Sequence, residues 1–331
     1  MKKLLLLFFF ILYNMNFSQE FEYFNYIKKA ETLYHQKQYE SAGKYFDKAY
    51  EVMNKKIIQN DLYNASCSWS MAKNIDKSFF YLNQIIENKM LQGWDDPVEF
   101  YKNLNKDSDF NNLKLDPRWK TLMITAYNNQ QSYLKNTDNP LAKKIKLIGE
   151  KDQEIRLKLD SIRKKDGLNT PYEKEFMKEI EKQDSINILA VEDIINEYGW
   201  LGPYKIGYKN NQYMFLVIQH ANLATQKKYL PILEQAVEDK QALPKDLAYL
   251  QDRINRKEGL PQIYGTQVYI DKEVNKYFLY PVNDITNIDK RRAFVGLESL
   301  SVYLKNSFNI KWDINEYLNE VQILEKKLLK K

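Results

Sequence analysis

Apolar residues recur three or four positions apart along most of the chain, the spacing that lines one face of an α-helix. From Leu141 to Lys165 the pattern predicts a helix with Ile148, Ile155, Leu159 and Ile162 on one stripe. A second runs from about Tyr172 to Tyr198 and stops at Gly199. The stretch "NQYMFLVIQHA", Asn211 to Ala221, is the most apolar helical segment after the N-terminus and is expected at the centre of a core. "QVYIDKEVNKYFLYPV", Gln267 to Val282, alternates apolar and polar residues around a polar centre, which predicts a β-hairpin. "NIDKRRAFVGLESLSVYLK" and "INEYLNEVQILEKKLLKK" then close the chain as helices.

Residues 23–87 use one helix pair twice. Ala30 and Leu33 sit on a first helix, Tyr39 closes the turn, and Ala42, Phe46 and Ala49 line a second. A shift of 36 residues gives Leu62 for Tyr26, Ser66 for Ala30, Trp69 for Leu33, Ile75 for Tyr39, Ser78 for Ala42, Leu82 for Phe46 and Ile85 for Ala49. Small residues let helices approach and large ones fill the gap between them. The pattern resembles the tetratricopeptide repeat, which implies an α-solenoid with a concave face. The segment that follows, with Asp107, Asp109, Leu113, Arg118 and Trp119, resembles the cap that ends such arrays. The fold class expected is therefore mainly α: a short tetratricopeptide-like α-solenoid, 19–127, a polar linker, 128–140, and a helical domain, 141–331, carrying a small β-hairpin.

Composition agrees with this. Of 331 residues, 44% are hydrophobic and 14% aromatic, enough for buried cores, while only ten glycines and nine prolines argue against a sandwich or barrel. Lys2 and Lys3 precede an unbroken apolar run, Leu4 to Leu12, and Ser18 offers a small residue for cleavage, so residues 1–18 read as a secretory signal peptide. At about nine residues the run is well short of the roughly twenty needed to span a bilayer. An exported chain, periplasmic or extracellular, with no stable membrane span after cleavage is expected. Cys67 is the single cysteine, so no intramolecular disulfide follows. The net charge of +6 is spread through alternating Lys and Glu, a solvated surface more than a nucleic-acid footprint.

The usual catalytic signatures are missing: no Gly-rich phosphate loop, HExxH, GxSxG elbow or CxxC occurs. Two histidines exclude a multi-histidine zinc site, and no metal or cofactor is expected. His35 reads as an exposed polar residue. His220 ends the apolar segment; it is either a general base or anion donor, or a core histidine satisfied by a backbone carbonyl. On the helix Lys245 to Arg256, Leu247, Leu250 and Ile254 share one face, and Tyr249, Asp252, Arg253 and Arg256 the other. There Asp252 and Arg256 form an i, i+4 pair, and a solvated face would explain them. The loop after Gly259 places Gln262, Tyr264, Gly265, Thr266 and Gln267 at an element end, where sites tend to be built, or else makes a hydrogen-bonded turn. Arg292 stands one turn before Gly296, which the pattern puts inside a helix and near a close packing contact. Asp152 and Arg156 read as a surface salt bridge.

In order, "DQEIR", "YGWLG", "IQHA", "YLQDRI", "PQIYGTQ" and "DKRRAFVGL" resemble the domain of unknown function 6624 family, over roughly residues 149–303. The resemblance carries no activity. It does imply that Asp152, Gln153, Arg156, His220, Asp252, Arg253, Gln262, Tyr264, Gly265, Thr266, Gln267, Arg291 and Arg292 are its recurring polar positions. The expected function is binding: a protein or peptide partner on the helical repeats, and a small anionic or carbohydrate-like ligand in the second domain. His220, Asp252, Arg253, Gln262, Tyr264, Thr266, Gln267, Arg291 and Arg292 are the candidates for that ligand. The alternative is an envelope-associated hydrolase with His220 as general base and Asp252 orienting it. A third possibility is that the polar residues form one buried network that fixes the fold.

Overall fold

A computed structural model describes residues 22–53, 59–88, 96–271 and 276–328. The segment read as a signal peptide, 1–18, lies outside the described residues. The protein is mainly α, and among the described residues its strands are confined to one two-stranded hairpin. Six of the nine prolines, Pro97, Pro117, Pro140, Pro171, Pro203 and Pro244, are the first residues of helices. A proline there loses no intrahelical hydrogen bond and arrives with φ already suited to the helix. Chain contacts divide the molecule into two compact units, Met1–Ser132 with Lys290–Leu297, and Tyr133–Asp289 with Glu298–Lys331.

In the first unit, α1 (22–35), α2 (Tyr39–Val52), α3 (Gln59–Met71) and α4 (Ile75–Asn88) follow one another through short turns. The 36-residue repetition holds in the backbone. Lys37 and Lys73 each take φ +61, and Gln38 N–H and Asn74 N–H donate five residues back, to Leu33 and Trp69. The small residues Ala30, Ala42, Ala49, Ser66 and Ser78 are fully buried, as close helix approach requires. Next come α5 (Pro97–Lys106), two 3₁₀ turns and α6 (Pro117–Thr137).

The boundary between the two units, Ser132 to Tyr133, falls inside the expected linker, 128–140, and most of that stretch is helical. α6 runs through it to Thr137, because Leu122, Ala126 and Tyr133 form one buried stripe at helical spacing and the intervening Asn and Gln residues face outward or half out. Polar composition marked a solvated face there, not a loop. The break falls at Asn139, whose side chain caps α7 (Pro140–Asp166) by accepting from Ala142 N–H at 2.8 Å.

In the second unit, α7 and α8 (Pro171–Tyr198) are 27 and 28 residues long. Their far ends share a small core of Leu159, Phe176 and Ile180. The short α9 (Pro203–Ile206) leads into α10 (Tyr208–His220), which lies in the main core. Met214 and Ile218 of α10 are fully buried there with Tyr229 of α11 (Leu223–Glu238) and Leu250 of α12 (Pro244–Lys257). A second core gathers the hairpin, β1 (Val268–Asp271) paired antiparallel with β2 (Lys276–Leu279), around Leu279, Ile288, Leu300, Leu304 and Tyr317. The last two residues but one lie on α14 (Leu300–Phe308), and Tyr317 lies on α15 (Ile314–Leu328).

The helix predicted across residues 287–305 is two helices. α13 (Ile288–Phe294) ends at once, and Gly296 has φ +76 with open space where a Cβ would stand. Gly296 is thus a stop, not a close-packing contact. α14 restarts with Asp289 accepting from Leu300 N–H at 2.7 Å.

Candidate functional site

Asp152 sits on α7 in the stripe Ile145, Gly149, Asp152, Leu159, all of it buried. A Cβ on Gly149 would come within 2.0 Å of the Tyr213 ring, so the absence of a side chain is what lets α7 and α10 approach so closely. One turn beyond Gly149 on α7, and two turns beyond Tyr213 on α10, Asp152 meets His220. Its two oxygens each lie 3.1 Å from His220 Nδ1, and the carboxylate is 1% exposed.

Three further groups fix this carboxylate. Gln153 Nε2 donates to it at 2.7 Å, Arg156 Nη1 stands 3.1 Å away, and Arg156 is itself held by Asp184 through Nη2 at 2.8 and 2.9 Å. The Asp152–Arg156 pair expected at the surface is therefore part of a largely buried array joining α7 to α8. Burial alone would raise the Asp152 pKa, but His220, Arg156 and Gln153 outweigh it and hold it below the usual carboxylate range. Burial also pushes His220 below its ordinary value, against the pull of Asp152 and with the push of Arg156 and Arg253. An ionised carboxylate only accepts, so the imidazole proton sits on Nδ1 and the Nε2 lone pair is left for chemistry.

Asp252 does something else. It is fully buried, and its oxygens accept from Ile263 N–H at 2.7 Å, Tyr264 N–H at 3.0 Å, Thr266 N–H at 2.9 Å and Thr266 Oγ1 at 3.0 Å. Asp252 thus neither orients His220 nor pairs with Arg256: it anchors the loop after α12, and the carboxylate on His220 is Asp152. Burial raises its pKa despite these donors. Gln262 is equally committed: its amide donates to the carbonyls of Gln267 and Tyr280 at 3.0 and 3.1 Å and accepts from Gln267 N–H at 2.6 Å. Thr266 Oγ1 takes the Gln267 side-chain amide at 3.1 Å, and Tyr303 donates to Thr266 O at 2.7 Å. Gly265, at φ +65, makes the bend between them. Tyr264 is half-buried and contributes its backbone amide.

Arg253 turns toward the end of α10. Its Nη1 reaches Gln219 O at 3.4 Å, its Nε is buried with no hydrogen bond, and among the described residues no carboxylate pairs with it. Burial first, then Arg256 and Arg156, bring its pKa down to about 10. His220 and Arg253 are thus brought together, whereas Asp252, Gln262, Thr266 and Gln267 are tied into the loop. Arg291 is half-buried and Arg292 wholly buried on α13. His35 is exposed, as expected. Sequence patterns missed the Asp152–His220 pairing, although a carboxylate inside the apolar stripe of α7 was its visible sign.

In the first unit, Cys67 Sγ and carboxylate oxygens of Asp107 and Asp109 lie within 4.8 Å of one another, a spacing a metal ion would accept. Those carboxylates already accept from tyrosines, Asp109 from Tyr34 and Asp107 from Tyr63 at 2.8 Å, and burial pushes the Cys67 thiol up, away from the thiolate a metal needs. This is a hydrogen-bonded cluster closing α3 against the segment after α5. A groove of about 550 Å³ between the α7–α8 turn and the hairpin, with Asp160, Arg163, Lys164 and Tyr277 on its walls, contains none of the sequence candidates.

The class these features define is a mainly α protein whose second unit holds a buried Asp–His pair beside an arginine that has no counter-ion among the described residues. The chain belongs to the Family of unknown function (DUF6624), which matches residues 140–311, just over half of its length. No curated protein and no solved structure matches it.

Proposed function

We propose that this is an exported binding protein: a tetratricopeptide-like region, 19–127, for a protein or peptide partner, and a family domain for a small anionic or carbohydrate-like ligand. The helix-pair geometry repeated after 36 residues supports the first part. Arg253 carries the second. A half-buried guanidinium with no ion pair among the described residues, and with its Nε–H left unmatched, is an arrangement that an anion completes. The N-terminal sequence supports export, and no helix among the described residues is long and apolar enough to cross a membrane.

The test is calorimetry of the full chain with glucuronate and inorganic phosphate. At least one binds, and Arg253→Ala weakens it roughly 10- to 100-fold, the loss of a charge-assisted hydrogen bond of about 1.5–3 kcal/mol. Absence of heat with both anions, or equal affinity in the variant, removes the reading.

The Asp152–His220 pair favours a second reading, an envelope-associated hydrolase with His220 as general base and Asp152 as its orienting group. His220 faces Asp152 and Arg156 from α7 and Arg253 from α12, and its pKa lies below the ordinary value near 6.5. It is therefore a free base at neutral pH, and hydrolysis should be flat there and fall only as the solution is acidified. Release of phosphate, reducing sugar or free amine from isolated envelope material should drop about 10²–10⁴-fold in His220→Ala. If the wild-type protein releases none of the three, the reading is wrong.

A further inference from the structure

We propose that the group bound at Arg253 is a phosphate, free or as a monoester, clasped by the three cations Arg253, Arg256 and Lys257 of α12 beside the C-terminus of α10. The proposal rests on the reading that Arg253 receives an anion, and it names the anion's chemistry.

At spacings of three and four, these three residues share one face of α12. Among the described residues, none of them has a carboxylate within ion-pairing distance, whereas the neighbouring Arg156 has two, Asp152 and Asp184. Both Arg253 Nε and Arg256 Nε are buried without an acceptor. Arg253 and Lys257 straddle His220: one reaches Gln219 O at 3.4 Å, the other Ala221 O at 3.3 Å. Arg256 lies over the Tyr280 ring, 5.4 Å from its centroid. The cations also feel one another: after burial, Arg253 and Arg256 lower the Lys257 pKa, and Arg256 and Arg156 lower that of Arg253.

Cations gathered at a helix C-terminus do satisfy its last carbonyls and its dipole. That purpose explains Lys257 and one arm of Arg253. It does not account for Arg256, which hydrogen-bonds no α10 carbonyl and rests on the Tyr280 ring, or for the two buried Nε–H groups without an acceptor. A single carboxylate would bring one negative charge to three positive ones. A phosphate monoester brings about −1.5 to −2 and three strong acceptor oxygens, and so matches both the charge and the donors.

The experiment measures binding to the full chain by calorimetry and thermal shift at constant ionic strength, with inorganic phosphate, glucose 6-phosphate, glucose and acetate. Phosphate or glucose 6-phosphate binds at least tenfold more tightly than acetate, glucose does not bind, and Arg253→Gln and Arg256→Gln each lose at least tenfold. Preference for glucose 6-phosphate over inorganic phosphate identifies a monoester; the reverse identifies the free ion. Equal binding of phosphate and acetate, both lost in Arg253→Gln, overturns the phosphate assignment and leaves the anion reading standing. No binding of any anion overturns both. Should Arg253→Gln fail to fold by circular dichroism, Arg256→Gln decides: unchanged phosphate affinity in that variant rejects the three-cation site.

Discussion

Asp252→Ala should lower the melting temperature of the second unit by about 10 °C. The carboxylate is wholly enclosed and takes three backbone N–H groups and one hydroxyl from Ile263, Tyr264 and Thr266. Alanine leaves these donors unmatched in a site that water does not reach freely. Each buried unsatisfied donor costs about 1–3 kcal/mol, and the loss of a buried charged partner about 3–5 kcal/mol in total, since the loop relaxes and recovers part of it. In a unit of this size, each kcal/mol moves the midpoint by roughly 2–4 °C. Asp252→Asn keeps one acceptor but turns an NH₂ toward N–H groups, so it should fall between wild type and alanine. A calorimetric scan showing Asp252→Ala within about 1 kcal/mol of wild type would contradict the anchoring role.

The second large effect depends on pH. Asp246, in the first turn of α12, is 2% exposed and its Oδ2 has no hydrogen-bond partner. Burial pushes its pKa from the ordinary 3.8 up to about 7. Between about pH 4 and pH 7 the folded chain therefore keeps a proton that the unfolded chain has released, so stability falls as pH rises across that window. At 1.36 kcal/mol per pH unit, the carboxylate costs up to about 4 kcal/mol above pH 7. Asp246→Asn should accordingly stabilise the protein at pH 8 by several kcal/mol and change little at pH 4. Asp61, in the other unit, is displaced the same way, to about 7, so some of the slope persists in the variant. Urea titrations at pH 4, 6 and 8 test this, and a uniform shift at all three would refute the ionisation argument.

What could be read from the sequence was whatever local periodicity and punctuation determine. Pro140 and Gly199 set helix ends, the alternation from Gln267 to Val282 gave the hairpin, and the apolar run of α10 marked the core. Failures came where a residue's role depends on what the chain brings to it from afar. The same Asn and Gln that read as linker lie on the outer side of α6, since only the burial of Tyr133 marks that stretch as helix. Gly296 fits a helical pattern until its φ is known. Asp152 and Asp252 look alike on paper, each four residues before an arginine. One is met by a histidine 68 positions away and the other by amides of its own succeeding loop. For the candidate site, then, the residue types were legible, but the division between the Asp152, His220 and Arg253 group and the residues tied into the loop after α12 was not.

That division bears on affinity. The loop from Gln262 to Gln267, which follows the helix carrying Arg253, is held in place by Asp252 and Gln262. Under the proposed anion-binding reading, a ligand at Arg253 would have no such loop to freeze, which removes one of the main penalties of association. What remains to oppose binding is stripping water from the guanidinium groups and from the anion. Affinity should then respond steeply to salt and only weakly to temperature-driven loosening of the loop, the behaviour of a rigid electrostatic socket.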